Sequence, residues 1–186
     1  MATPATAEQL SGGVVAVLSI HPPYAEKILA GIKRVELRKA PLRDNVRHVA
    51  IYATSPVQKL VGVFSVGQVD VASPDVLWSR YADVAGIDRD SFDRYFAGRD
   101  TGVAIGVSGV ARLQVPVELQ ALSATLCPPQ NVVYLDYLAT RRLKVLVARD
   151  RVAAPVSPRT FATWAARIGR TGVDSAAASV RAVVGR

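Results

Sequence analysis

Apolar and polar positions alternate along this chain in short, well-punctuated segments. Val14 to Ile20 is a mostly apolar, β-branched run and reads as a buried strand. Pro22 and Pro23 end it, because proline supplies no N–H, and open a short helix over 22–30. Tyr24, Ile28 and Leu29 recur there at helical spacing, and Gly31 suits the position just past the helix end, where φ is usually positive. Strands follow at 34–38 and 48–53, and Ser55-Pro56 closes the second. A long strand at 60–71 puts Val61, Val63, Val69 and Val71 on one face and Gln68 and Asp70 on the other. Gly62 and Gly67 inside it predict bulges or a tight bend.

Ser73-Pro74-Asp75 is a helix start, and Gly86 a stop. Asp90 or Ser91 caps a second short helix, with Phe92, Tyr95 and Phe96 turned inward and Gly98 at its end. Trp78, Tyr95 and Phe96 suit base stacking, but their helical spacing reads better as core. The cleanest alternation covers 102–115. Val103, Ile105, Val107, Ala111, Leu113 and Val115 face in, Ala104, Ser108, Arg112 and Gln114 face out, and Pro116 ends the strand. Residues 118–122 add a short helix or strand, and 135–147 fit a helix or a strand equally. A linker is expected over 148–158. Beyond it, Phe161, Trp164, Ala165 and Ile168 fall on one helical face, and a last helix runs over 174–184.

Charge sharpens this division. Of 186 residues, half are hydrophobic, and the net charge is +8. Residues 1–140 carry 13 basic and 13 acidic side chains, whereas 141–186 carry 10 basic and 2 acidic ones. The expected organisation is a tail at 1–12, one domain at 13–140 and a basic, partly helical extension at 141–186. Within the domain, Lys33, Arg34, Arg38, Lys39, Arg43 and Arg47 are answered only by Glu36 and Asp44. Such a layout favours polyanionic partners. No run reaches the ~18 apolar residues of a membrane span, so no membrane partner is expected. The start lacks the basic and apolar regions of a secretory signal. Cys127 is the single cysteine, so no internal disulfide forms, which agrees with a cytoplasmic home. With only His21 and His48 beside it, no zinc constellation is expected, and no cofactor is called for. Cys127 itself reads as a packed thiol.

The run Gly31-Ile32-Lys33-Arg34-Val35-Glu36-Leu37-Arg38 matches the pattern G-x-K-x-x-E-x-R. It resembles the signature of ASCH domains, a PUA-like family tied to RNA binding. The flanking Ser19-Ile20-His21-Pro22, Tyr24-Ala25, Tyr52-Ala53-Thr54-Ser55-Pro56-Val57 with Gly62, and Pro128-Pro129-Gln130 fit the same family. The resemblance covers about residues 13–135. It implies an α+β fold: a small PUA-like β-barrel, mixed and largely antiparallel, with short helices packed around it.

Strand alternation puts Glu36 and Arg38 on one face, opposite Val35 and Leu37. Lys33 is expected at the helix–strand corner, turned into a cleft. Lysine, carboxylate and guanidinium together can hold a nucleobase and a phosphate. His21, Tyr24 or Tyr52 would stack, and Ser19, Thr54 and Ser55 add polar groups at the mouth. The expected ligand is RNA or a modified nucleoside or nucleotide, with Glu36 accepting from a base edge. An enzyme using the same cleft is the alternative, with Lys33 the candidate catalytic group. Part of the family looks like amidohydrolases that deacetylate acetylcytidine, with a threonine three residues after the motif lysine. Here that position is Glu36, which removes the hydroxyl nucleophile. Other ASCH-like proteins are linked to ribonuclease action. DNA is a further candidate partner, read by the C-terminal helices. Oligomeric state is not legible in the sequence.

Overall fold

The computed structural model describes residues 13–152. They form one six-stranded sheet and four helices. In chain order these are β1 Val14–Ile20, α1 Pro22–Leu29, β2 Val35–Arg38, β3 Val46–Ala53, β4 Lys59–Ala72, α2 Pro74–Ala85, α3 Arg89–Phe96, β5 Gly102–Val117, β6 Val132–Tyr134 and α4 Tyr137–Val152. The strand order is β2-β5-β4-β3-β1-β6. β1 and β3 run parallel and every other pair is antiparallel, so the mixed, largely antiparallel α+β fold is the one found. Three strands separate β2 from β1 in that order, yet the Arg38 Nη2 donates to the Ser19 carbonyl at 3.0 Å. The sheet therefore curls until its β2 edge lies within one side chain of β1. It is a half-barrel with the seam bridged by a side chain rather than by a ladder.

Register shifts produce the curl. Between Leu60↔Val117 and Gly62↔Arg112, β5 advances further than β4, and the surplus residues bulge outward. Pro116 lies in that bulge, where no ladder N–H is needed, so the strand runs through it to Val117 instead of ending. Val115 shares the bulge and is 71% exposed, not inward. A further shift between Val66 and Val69 contains Gly67, as the glycine pattern predicts. Gly62 is required by contact: a Cβ there would sit 2.5 Å from Leu29 Cδ2 and 2.7 Å from the Ala111 oxygen.

One core lies between the sheet and α4. Val15, Val17, Ala50, Val63 and Leu113 meet Ala139, Leu143 and Val147. Residues 135–147, open between helix and strand in the sequence, are thus mainly helix. The helix continues to Val152, over the start of the expected linker, and its inner face belongs to the domain core. The boundary expected at residue 140 cuts through α4; the compact unit ends at Asp150. A second core joins β2 to α2 and α3 through Val35, Leu37, Leu77, Phe92 and Phe96. Ala104, read as outward, is buried in it, because these helices cover the sheet face that simple alternation leaves to solvent. Phe92 packs its ring 4.9 Å from Trp78 and 4.8 Å from Phe96, so these aromatics are core. Each fully buried large side chain here contributes on the order of 1.5–3 kcal/mol. Val69 and Val71 are exposed, while Asp70 is half-buried and ion-paired to Arg80 at 2.7 Å; beyond the Gly67 bulge the apolar face of β4 is uncovered.

Asp88, rather than Asp90 or Ser91, caps α3, its carboxylate accepting from the Ser91 N–H at 2.8 Å. Gly86 and Gly98 have positive φ, as their stop positions require. Residues 118–122 contribute one 3-10 turn, Leu119–Ala121. Cys127 is exposed, not packed, because the segment carrying it runs over the surface between that turn and β6. Among the described residues, no helix is long and apolar enough to cross a membrane. The tail at 1–12 and the helices expected around Phe161–Ile168 and 174–184 lie outside the described residues.

Candidate functional site

The β1–α1 corner is built by proline. Pro22 and Pro23 occupy the first helical turn, so the missing N–H groups cost no helical bond. His21 holds the N-cap position, and its carbonyl accepts from Tyr24 N and Ala25 N, both at 2.9 Å. No side chain caps this helix. The His21 ring is exposed and its Nδ1 lies 3.4 Å from Thr54 Oγ1. Thr54 is set there by its own N–H, which donates to the Ile20 carbonyl at 3.0 Å.

At the other end of α1, Gly31 takes φ of 74° and reverses the chain. The N–H groups of Ile32 and Lys33 both turn back onto the Lys27 carbonyl at 2.9 Å. This reversal aims Lys33 inward, where it is 4% exposed. Its Nζ donates to the Ala85 carbonyl at 2.6 Å and stands 3.6 Å from Glu36 Oε2. The Tyr24 ring centroid is 5.6 Å away. Lys27 Nζ donates to the Gly86 carbonyl at 2.7 Å, and Arg34 N to the Val84 carbonyl at 2.8 Å. Three consecutive carbonyls at the C-terminus of α2 are thus taken by the α1–β2 segment. Two of the donors are ammonium groups, the favourable sign at the negative end of a helix. α2 has no basic residue in its own last turn to do this.

Glu36 continues the chain. It is 6% exposed and lies on the face of β2 opposite Val35 and Leu37. Its Oε1 is 3.2 Å from Arg38 Nε, an ion-pair distance without hydrogen-bond alignment. Arg38 then bridges to Ser19. One buried series of polar contacts therefore runs from Ala85 through Lys33, Glu36 and Arg38 to Ser19. It ties the C-terminus of α2 to the motif and closes the half-barrel seam. Its exposed end is Arg38, whose side chain is 17% accessible.

Burial is the largest influence on Lys33 and pushes its ammonium below the ordinary 10.5; the Glu36 carboxylate opposes this. At pH below the lowered native value, both folded and unfolded chains hold the proton and the burial cost is carried in full. Between that value and 10.5 the folded chain sheds its proton first, so the cost is relieved as pH rises. The stability of the wild type relative to Lys33→Met is therefore expected to rise through the alkaline range toward 10.5. Parallel denaturant titrations of the two proteins check this; a difference that falls or stays flat contradicts it.

His21 and Thr54 thus meet at the β1–α1 corner, Tyr24 lies against Lys33, and the Lys33–Glu36–Arg38 series reaches the end of β1 at Ser19. Three other residues are placed differently. Tyr52 is 4% exposed and packs in the α4-side core with Val15 and Val17, which excludes it as a stacking platform. Ser19 commits its hydroxyl to the Pro129 carbonyl at 2.5 Å. Ser55 is exposed in the turn after β3, with no side-chain partner among the described residues. The six-cation patch also divides: Lys33 and Arg38 belong to the buried polar series, while Lys39 lies over Tyr95 and Arg43 over Tyr134.

Two contributors escape sequence reasoning. Lys27 gives no local signal, because its acceptor is 59 residues away. Glu26 and Arg112 form a bidentate pair at 2.6 and 3.0 Å that fixes α1 on β5 across 86 residues.

Residues 18–109 match the ASCH domain family. An ASCH domain-containing ribonuclease of Zymomonas mobilis is 29% identical over 141 residues, covering 72% of this chain and 93% of that protein. The crystal structure of ASCH from Zymomonas mobilis superposes with a TM-score of 0.65 at 29% identity, over 71% of this chain and 94% of that one. A serine-to-alanine variant of it gives 0.66, over 71% and 95%.

Proposed function

Since residues 18–109 are an ASCH domain, we propose that this protein binds single-stranded RNA at the β1–α1 corner. One observation carries the reading. The Lys33–Glu36–Arg38 series is buried beside a half-buried Tyr24 and presents Arg38, bonded to Ser19 two residues from the exposed His21, at its accessible end. In this arrangement Arg38 takes a phosphate, Tyr24 stacks on a base, and His21 with Thr54 hydrogen-bonds the base edge or the ribose. Glu36 holds Arg38 and Lys33 rather than a ligand, because both its oxygens face cations. The relative named a ribonuclease supports RNA as the partner class.

His21→Ala is expected to weaken single-stranded RNA roughly 2- to 10-fold, the worth of one neutral hydrogen bond. Fluorescence anisotropy with a labelled oligonucleotide measures it. Unchanged affinity in a folded variant removes His21 from the interface.

A second reading is cleavage of RNA at the same corner. It is favoured by the exposed His21 imidazole beside the Thr54 hydroxyl, since an imidazole can take and give a proton. Incubation of full-length protein with labelled RNA separates the two. Cleavage lost in His21→Ala with the fold retained establishes the enzyme; intact RNA leaves a binding domain.

A further inference from the structure

The outer face of α4 is not absorbed by the corner. Leu138, Arg141, Arg142, Val145 and Arg149 recur there at helical spacing and, with Leu146 and Ala121, line an open groove of about 370 Å³. The inner face of the same helix is core. Leu138 is 58% exposed and Val145 45%. The groove lining holds no carboxylate. Of the helix's neighbouring acids, Asp136 accepts from Ala139 N and Asp150 from Gln114 N, both at 2.7 Å. Arg142 donates to the Leu122 carbonyl at 2.8 Å, which pins it to one wall. Arg141, Arg142 and Arg149 form no ion pair among the described residues.

We propose that this groove is a second contact for the RNA backbone, taking phosphates on Arg141 and Arg149 with a ribose or base face over Leu138 and Val145. The inference rests on the RNA-binding reading of the corner. Guanidinium forks match phosphate oxygens in pairs, and a compact ammonium does not. Arg141 and Arg149 are about 12 Å apart along the helix axis, so they engage different phosphates of one strand. The apolar floor holds few anchors where a docked amphipathic helix presents a row at i, i+3, i+4 and i+7. The chain from residue 141 onward carries the whole net positive excess.

The test uses full-length protein and a fluorescein-labelled uridine 12-mer, with anisotropy read across a salt series. Arg141→Gln/Arg149→Gln is expected to weaken binding at least tenfold at low salt. The slope of log affinity against log salt should become shallower by about 1.4, since each phosphate contact on a single strand contributes roughly 0.7. His21→Ala should leave the slope unchanged, because it removes no phosphate contact. An unchanged slope in the double variant, with RNA still bound, overturns the groove alone. A polyglutamate peptide whose binding is lost in the double variant, while RNA binding persists, also overturns it and assigns the groove to acidic protein. A wild type that binds no RNA overturns both the groove and the corner.

Discussion

Glu36→Ala is expected to destabilise the protein by about 3–5 kcal/mol, the cost of leaving buried charge without its partner. Lys33 is 4% exposed and Arg38 17%, so two cations lose their shared anion in a region with little water to replace it. The Arg38 bridge to Ser19 loosens with it, and the β2 edge is freed from β1. Glu36→Gln keeps the shape and removes the charge, so it should fall between wild type and alanine. Urea unfolding of the three proteins measures this. A loss below about 1 kcal/mol for alanine would place Glu36 among ordinary surface ion pairs.

Arg38→Gln is expected to weaken every single-stranded RNA tested by about 1.5–3 kcal/mol, the range for a hydrogen bond to a charged group. The change should be uniform across base sequence, because a phosphate contact positions the strand without reading it. Arg38→Lys keeps the charge but not the planar fork, and should recover only part of the loss. Because Arg38 also bridges the seam, each variant needs a matched unfolding curve. Anisotropy on folded protein then isolates the binding term. A loss confined to one base composition would move Arg38 from the phosphate to a base edge.

Local chemistry explains why much of this was readable from the chain. Proline at 22 and 23, Gly31 at positive φ and the apolar spacing of Tyr24, Ile28 and Leu29 act within one helix length, and α1 forms as they predict. The alternation that sets Glu36 against Val35 and Leu37 is equally local, and it holds. What alternation cannot convey is that both faces of β2 are covered. It leaves one face to solvent, whereas a curled sheet with α2 and α3 outside buries the charged face as well. Lys33 illustrates the limit. Its turn into the interior follows from Gly31, but its acceptor on Ala85 is 52 residues away. Tyr52 and Cys127 differ for the same reason. One lies on the side that α4 fills and the other on a surface segment, and neither fact is encoded within a few residues of them.

Hydrogen–deuterium exchange of the full-length protein, with and without a saturating uridine 12-mer, decides whether RNA sits at the β1–α1 corner. Slowed exchange is expected at the backbone N–H groups of 19–21, 24–25 and 52–55, the two sides of the β1–α1 corner. With RNA held near the wild-type Kd instead, that protection should largely disappear in Arg38→Gln. RNA that binds and leaves these segments unprotected, with slowing confined to other parts of the chain, would contradict it.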